Sequence, residues 1–168
     1  MAVLPLLKRL SLMSFSRLGI DEYFAGISKL VAERSTCRRR AVGCVLVDSH
    51  NHIVATGYNG VPAGFKHCLD VPCEGAMSPS GTQLNECWAV HAEMNAFLQL
   101  QSDDNLTAYI TTTPCFECAK VLSNSKVIRI VAPNWYPAKY VKEILDTAGI
   151  VVDVEGEKDM KEWLGAGS

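Results

Sequence analysis

The sequence contains no hydrophobic run close to the roughly 20 residues that a membrane-spanning helix requires. Its apolar opening, MAVLPLLKRLSLMSF, is interrupted by Pro5 and by the charged pair Lys8 and Arg9. It also lacks the succession of charge, apolar core and small-residue cleavage site that defines a secretory signal peptide. We therefore expect no contact with a membrane and a cytoplasmic location, or the host cytoplasm if the source is viral.

An excess of charge of one sign is also missing. The chain has 16 Lys and Arg against 18 Asp and Glu, which gives a formal net charge of −2. This balance argues against broad binding of nucleic acid, because phosphate contacts need a surplus of cations. One local exception is CRRR at 37–40, which is a candidate anion site.

The composition is that of one globular domain. The chain has 168 residues, of which 48% are hydrophobic and 20% charged, and it shows no repeat or low-complexity tract. We predict an N-terminal segment at 1–19, a domain at 20–155 and a C-terminal tail at 156–168. A Cys-rich insert at 61–87 interrupts the domain, and a loop of that length needs either a function or something that orders it.

Hydrophobic periodicity predicts the element order α-β-β-α-β-α-β-α-β. Strands that alternate with helices late in the chain indicate parallel neighbours and a sheet covered on both faces. The predicted helices are 20–35, 89–100, 115–123 and 138–149, the last ended by Gly149. The predicted strands are two within 41–60, separated by a polar turn at 48–52, and one each at 107–112, 127–133 and 150–155.

The chain has seven cysteines, and their number is odd. Without a secretion signal, an odd count and a C-x-x-C pair favour metal ligation in a reducing compartment over disulfides. Cys44 lies in the middle of a predicted strand, where we expect a small core residue. The others are Cys37, Cys68, Cys73, Cys87, Cys115 and Cys118.

Cys115 and Cys118 form the C-x-x-C pair, directly after Pro114. Proline is favoured in the first turn of a helix, so both sulfurs are predicted to lie at a helix start. The positive end of the helix dipole lowers thiol pKa values there and prepares both sulfurs for a metal. Taken alone, the pair favours metal ligation no more than the alternatives, which are a redox dithiol and two small core residues.

His91 and Glu93 make the metal interpretation specific. His91 begins the preceding predicted helix and adds one nitrogen to the two sulfurs. Three protein ligands leave a fourth zinc position for water, which ionises near neutral pH in such sites. Glu93 lies two residues further on, within reach of that water, and is the candidate proton shuttle.

The order H-x-E then P-C-x-x-C is the signature of zinc nucleobase deaminases. In these segments the sequence resembles the cytidine and deoxycytidylate deaminase superfamily, and its branch of deoxycytidylate (dCMP) deaminases above all. The Gly-Tyr-Asn-Gly segment followed by a cysteine-containing insert indicates that branch. The matching segments are STCRRRAVG (35–43), ATGYNGVPAGFKHC (55–68), HAEMNAF (91–97) and TTTPCFECAK (111–120).

The resemblance implies an α/β fold of three layers, α-β-α, with a mixed five-stranded sheet. It implies zinc-dependent hydrolysis of dCMP to dUMP and ammonia, which feeds dTMP synthesis. Zinc would be held by His91, Cys115 and Cys118, with Glu93 as the catalytic residue. Family members are often homohexamers that dCTP activates and dTTP inhibits.

The resemblance also implies a set of nucleotide contacts. Asn59 would bond the sugar, the backbone at Ala92 and Thr113 would read the pyrimidine edge, and Tyr136 would lie near the nucleotide. A regulatory region at 58–67 would bind effectors. Candidates for effector or phosphate binding are Tyr58, Gly60, Arg38, Arg39, Arg40 and Lys66. For the three arginines and the lysine, a solvated basic face is the alternative.

A second, structural zinc is implied as well, since some dCMP deaminases carry one. A closed site of four thiolates would order the long insert. Its ligands would be Cys37, Cys68, Cys73 and Cys87, with His67 as a possible substitute for one of them. The alternative is that these are free thiols in a loop.

Other functions remain open on the sequence alone. The enzyme could act on dCTP or on 5-modified dCMP, or could edit RNA or DNA, although the net charge counts against an editor. The chain could also be a zinc scaffold without catalysis, or a regulatory partner in a hetero-oligomer. The presence of Glu93 favours an enzyme, because a scaffold needs the metal ligands but not the proton shuttle.

Overall fold

A computed structural model describes residues 17–79, 82–102 and 104–154. The predicted order of four helices and five strands is confirmed. Most of the predicted N-terminal segment and the whole predicted tail lie outside the described residues. The elements are α1 Ile20–Ala32, β1 Gly43–Val47, β2 Ile53–Tyr58, α2 Ala92–Phe97, β3 Leu106–Ile110, α3 Phe116–Ser123, β4 Val127–Ala132, α4 Val141–Thr147 and β5 Val151–Val154.

The five strands form one mixed sheet in the order β2-β1-β3-β4-β5. Strand β1 is antiparallel to both of its neighbours, whereas β3, β4 and β5 run parallel, as the alternation of helices and strands predicts. All five residues of β1 are buried, because this strand is central and covered on both faces.

Side chains alternate between the two faces of the sheet, and each face packs against helices. Phe24 of α1 packs on one face against Val45, Val47, Tyr109 and Val131. The other face packs against α2, α3 and α4. Its core includes Cys44, Leu46, Ile110 and Ile130 from the strands, with Ala96, Leu122 and Leu145 from α2, α3 and α4. Cys44 is fully buried, which confirms it as a core residue.

Gly57 allows α2 to lie unusually close to β2. A Cβ atom at Gly57 would lie 2.2 Å from the carbonyl oxygen of Ala92 and 2.4 Å from the nitrogen of Ala96. Real Cβ atoms do not approach backbone this closely, so only glycine fits between the strand and the helix. The contact fixes the first turn of α2, where His91 and Glu93 lie.

The insert leaves and returns at one place. Gly60 and Val90 exchange two backbone hydrogen bonds of 3.1 and 2.8 Å, which close the base of the insert. Between them lie two short 3₁₀ helices, Glu74–Met77 and Leu84–Glu86. None of the helices in the described ranges is both long and apolar enough to cross a membrane.

Two predicted helices begin three residues later than the periodicity suggested. Helix α2 begins at Ala92 rather than near residue 89, because Val90 is paired with Gly60. Helix α4 begins at Val141 rather than 138, because Tyr140 has a φ of 65° and cannot continue a right-handed helix. Gly149 has a φ of 71° and ends α4 as predicted.

Candidate active site

His91 and Cys115 occupy equivalent positions at the starts of two neighbouring helices. Each is the residue immediately before the first helical residue, with extended backbone angles. Cys118 lies in the first turn of α3, so the C-x-x-C spacing brings both sulfurs to the same helix end. Both Sγ atoms lie 3.3 Å from Nδ1 of His91. The three predicted zinc ligands therefore converge on one point.

The spacing of these atoms fits zinc. Zinc–nitrogen bonds of about 2.0 Å and zinc–sulfur bonds of about 2.3 Å place the two ligand atoms about 3.5 Å apart around a tetrahedral ion. The observed separations of 3.3 Å are close to this value. The donor set of one imidazole and two thiols is also one that zinc prefers.

One other cluster with metal-binding side chains occurs among the described residues. It consists of Asp48, His50 and Asp104, beyond the C-terminal end of β1. Oδ1 of Asp48 accepts hydrogen bonds from the backbone of His50 and His52, at 2.9 and 2.8 Å. These bonds account for Asp48 as a residue that forms the β1–β2 turn.

The three ligands differ in their proton affinity. A hydrogen bond from Cys118 lowers the pKa of Cys115 to about 4. The same bond, together with burial, raises the pKa of Cys118 well above its usual range. The pKa of His91 is raised, chiefly by its hydrogen bond with Cys115.

Glu93 lies beside this cluster in the first turn of α2, and only 5% of it is exposed. Burial raises the pKa of its carboxyl group above the usual value. Glu93 lines the same cavity as His91 and Cys115. The predicted proton shuttle is thus a buried carboxyl group that faces the space next to the predicted zinc.

The cavity has a volume of about 450 Å³, within the range of small-molecule sites. All four predicted substrate contacts line it, namely Asn59, Ala92, Thr113 and Tyr136. Residues of the insert contribute to one wall, among them Ala76, Met77, Leu84 and Cys87. The remaining polar lining includes Arg38, Arg39, Arg40 and Thr112.

The sequence profile described as the cytidine and deoxycytidylate deaminase zinc-binding region matches residues 19–133, which include His91, Glu93, Cys115 and Cys118. The chain belongs to the cytidine and deoxycytidylate deaminase family. This confirms the predicted family, which is one of hydrolytic enzymes, and supports zinc as the metal of the His-Cys-Cys cluster.

Relatives of different length share this region. A deoxycytidylate deaminase of Mycobacterium phage D29 is 40% identical over 126 residues, covering 71% of this chain and 98% of the phage protein. A deoxycytidylate deaminase of Schizosaccharomyces pombe is 35% identical over 136 residues, or 77% of this chain. This chain spans 42% of the length of the yeast protein, but nearly all of the phage protein.

A solved structure has the same architecture. The dCMP deaminase of cyanophage S-TIM5, in complex with dCMP and dUMP, aligns with a TM-score of 0.68 at 26% identity. The alignment covers 83% of this chain and 98% of the phage chain. It confirms the predicted three-layer fold with a mixed sheet.

In this member of the deaminase family, Asn59 also has a structural role that its motif did not reveal. Its Oδ1 accepts hydrogen bonds from Ser35 Oγ at 2.7 Å and from the backbone of Val42 at 2.8 Å. Its Nδ2 donates to the carbonyl oxygen of Arg40 at 2.8 Å. Asn59 thus holds the 35–42 segment against the end of β2.

Thr112 is a cavity residue that the sequence analysis missed. The predicted contact Thr113 donates its backbone N–H to Asn134, and its hydroxyl accepts the backbone N–H of Tyr136 at 2.7 Å. The buried hydroxyl of Thr112 has no hydrogen-bond partner among the described residues. A run of three threonines gives no sequence signal for which hydroxyl is left without a partner.

The predicted effector residues are divided by the structure. Arg38 lines the cavity, whereas Tyr58, Gly60 and Lys66 are absent from the described lining. Tyr58 and Lys66 are exposed, and Gly60 is buried against Thr36. Of these four predicted effector residues, Arg38 is therefore the one that lines the cavity.

The four predicted ligands of a second zinc are partly brought together. The sulfurs of Cys68 and Cys73 lie 3.8 Å apart. The pKa of Cys73 is raised chiefly by burial, then by Cys68 and then by Cys87, so Cys87 lies near this pair. Among the residues that the structure describes, no three of the four cysteines form a cluster as tight as that of His91. His67 is exposed and bonds the backbone of Asp70 through its carbonyl group.

Proposed function

We propose that the protein hydrolyses the exocyclic amino group of dCMP, giving dUMP and ammonia. The observation that carries this proposal is the buried Glu93 in a cavity that also contains His91 and Cys115. The names of the relatives support dCMP as substrate, since the D29 protein is called a deoxycytidylate deaminase and the S-TIM5 enzyme binds dCMP and dUMP.

The chemistry follows from the roles of these side chains. Held by His91, Cys115 and Cys118, zinc would supply a hydroxide nucleophile at neutral pH. The Glu93 carboxylate would accept the proton released from water and pass it to ring N3. After the hydroxide oxygen has bonded to C4, Glu93 would take the second proton from that oxygen and deliver it to the amino nitrogen as the C4–N bond breaks. One water and one cytosine are thereby converted to one uracil and one ammonia.

A substrate panel tests the proposal. Ammonia release would be measured with dCMP, dCTP, 5-methyl-dCMP, deoxycytidine, CMP and a single-stranded oligonucleotide. We expect the highest kcat/KM with dCMP. A higher value with dCTP or 5-methyl-dCMP would overturn the assigned substrate, and turnover of the oligonucleotide alone would identify an editor. If the zinc-loaded protein turned over none of these substrates, the alternative of a zinc scaffold without catalysis would be supported.

We further propose that dCTP activates the enzyme and dTTP inhibits it. The catalytic domain would span 20–155, and six copies of the chain would form a homohexamer. The dUMP product would supply dTMP synthesis in the cytoplasm. An effector site near Tyr58 and Lys66 would be separate from the cavity, because both are exposed and neither lines it. Measurement of molecular mass and of dCMP turnover against effector concentration would test this. A monomer whose rate is unaffected by either nucleotide would refute it.

We propose a structural zinc at Cys37, Cys68, Cys73 and Cys87, which would fasten the insert to the segment before β1. Elemental analysis should then give two zinc ions per chain, and Cys87→Ser should leave one. The variant should lose thermal stability more than turnover. Cys44→Ala, which removes a buried thiol in the core, should retain both ions. One zinc in the wild-type protein would exclude this site.

A further inference from the structure

Tyr136 forms part of the cavity wall, but it belongs to neither a helix nor a strand. It lies in the connection 133–140 between β4 and α4. A residue in such a connection lacks the regular backbone hydrogen bonds of an element, so other contacts must place its ring. The contacts of Tyr136 therefore decide how precisely this wall of the cavity is positioned.

The hydroxyl group of Thr113 holds the backbone of Tyr136. Its oxygen accepts the N–H of Tyr136 at 2.7 Å, which is at the short end of the range for such bonds. The carbonyl oxygen of Tyr136 lies 3.5 Å from the same hydroxyl group. Thr113 is 4% exposed, so water competes little for these contacts. The backbone of Tyr136 is therefore anchored to one buried side chain.

Asn134 joins the same two segments of the chain. Its carbonyl oxygen accepts the N–H of Thr113 at 2.9 Å, and its Nδ2 donates to the carbonyl oxygen of Thr111 at 2.8 Å. Cys115 follows two residues after Thr113. The segment that carries this predicted zinc ligand and the segment that carries Tyr136 are thus bonded into one unit.

A further contact acts on the ring of Tyr136. The guanidinium of Arg40 lies 5.3 Å from the ring centre, in a cation–π contact. Arg40 is exposed, and an exposed contact of this kind stabilises less than the loss of a buried hydrogen bond destabilises. The bond to Thr113 is therefore the stronger of these two restraints on Tyr136.

We infer that the Thr113 hydroxyl is a positioning group, which sets the place of Tyr136 relative to the zinc ligands. The inference rests on the proposed function, because it takes Tyr136 to be a nucleotide contact in the cavity. The family resemblance implies a role for the Thr113 backbone at the pyrimidine edge. The side chain adds a separate role, and it acts on the nucleotide through Tyr136.

Thr113→Val tests this, because valine keeps the size of the side chain and removes the hydroxyl. A methyl group cannot lie 2.7 Å from a backbone nitrogen, so Tyr136 must shift. We expect KM for dCMP to rise by about 5- to 50-fold and kcat to change by less than about 3-fold, since a lost binding contact acts mainly on KM. Thr113→Ser restores the hydroxyl and should return KM to within about 3-fold of wild type.

Thr111→Val is the matched control in the same segment. The Thr111 hydroxyl also accepts a backbone N–H, that of Gly43 at 3.2 Å, but Thr111 is not among the described residues that line the cavity. This variant should lose thermal stability and keep the wild-type KM and kcat for dCMP.

A double variant shows whether Thr113 acts through Tyr136. When it is combined with Tyr136→Ala, Thr113→Val should raise KM no further than Tyr136→Ala alone, because the ring that the hydroxyl positions is absent. Additive effects would overturn the inference and assign the hydroxyl to the nucleotide itself. An unchanged KM in Thr113→Val, or equal rises in Thr113→Val and Thr111→Val, would also overturn it.

Amide hydrogen exchange measures the restraint without a substrate. The N–H of Tyr136 should exchange about 10-fold faster in Thr113→Val than in wild type or Thr113→Ser. Equal exchange rates in the three proteins would show that Thr113 does not hold Tyr136. Failure of wild type to deaminate dCMP would instead refute the proposed function, and the exchange rates would still decide whether the hydroxyl restrains Tyr136.

Discussion

Glu93 and Glu117 lie in the first turns of neighbouring helices, yet their environments are opposite. Glu93 is 5% exposed, whereas the side chain of Glu117 is 67% exposed and pairs with Lys120 at 2.7 Å. A buried carboxyl group without a salt bridge is costly, and such groups concentrate at functional sites. The difference in burial is therefore evidence that Glu93 serves chemistry and Glu117 does not.

Glu93→Gln tests this at the level of one residue. Glutamine keeps the shape of the side chain but cannot accept and return a proton. We expect zinc content to stay at the wild-type value and kcat for dCMP to fall by about 10²- to 10⁴-fold. Glu117→Gln is the matched control and should retain activity. Wild-type turnover by Glu93→Gln would show that another group moves the proton.

At the same scale, motifs located the reactive atoms but not their surroundings. His91, Glu93, Cys115 and Cys118 were predictable because zinc requires particular atoms at particular spacings. The unpaired atoms of Thr112 and Arg39 were not predictable, because each is defined by what neighbouring segments fail to supply. The motif that contains Asn59 predicted a nucleotide contact but not the three hydrogen bonds that Asn59 makes to the 35–42 segment.

Among the elements, the close contact between β2 and α2 determines where the site lies. Periodicity predicted both elements and the order of all nine, because each buries one face. It did not predict the start of α2, which depends on the pairing of Gly60 with Val90 across the whole insert. Contacts between distant segments of this kind leave no trace in a local pattern.

Gly57→Ala tests the importance of that contact. Its Cβ would lie 2.2 Å from the Ala92 carbonyl oxygen, so α2 must move away from the sheet. We expect a loss of about 1–3 kcal/mol in the free energy of unfolding, together with lower kcat/KM because His91 and Glu93 are displaced. Urea denaturation and steady-state kinetics measure the two effects.

A second glycine provides the control. Gly26 lies inside α1, and a methyl group added there would meet no described atom within 4 Å outside the backbone of its own helix. Gly26→Ala should raise the free energy of unfolding by about 0.5–1 kcal/mol, because alanine favours the helix, and should leave kinetics unchanged. Similar effects of the two substitutions would show that the contact between β2 and α2 does not position the site.

Across the whole molecule, the first helix and the last strand meet at Arg129. Its Nη1 and Nη2 donate to the two oxygens of Asp21 on α1, at 2.8 and 2.9 Å. Its Nε donates to Asp153 on β5 at 2.7 Å, and Tyr109 donates to Asp21 at 2.8 Å. This network joins α1, β3, β4 and β5 on the face of the sheet opposite the active site.

The network predicts how stability depends on acid. The hydrogen bonds from Arg129 hold the pKa of Asp21 below its usual value, so the unfolded chain takes up a proton first as pH falls. The stabilisation is therefore complete well above about pH 4 and declines progressively as the pH falls below it. Because the side chains are between 33% and 48% exposed, solvent screening limits the contribution to about 1 kcal/mol.

Asp21→Asn should thus lower the free energy of unfolding near neutral pH, and its difference from wild type should narrow progressively below about pH 4 as the wild-type carboxylate becomes protonated. Denaturant titrations at several pH values would measure the gap between the two proteins. Tyr109→Phe, which removes one neutral donor, should lower stability and keep most of the wild-type acid dependence. A gap of constant size from neutral pH to pH 3 would mean that Asp21 contributes through packing, and that charge does not hold α1 to the last strands.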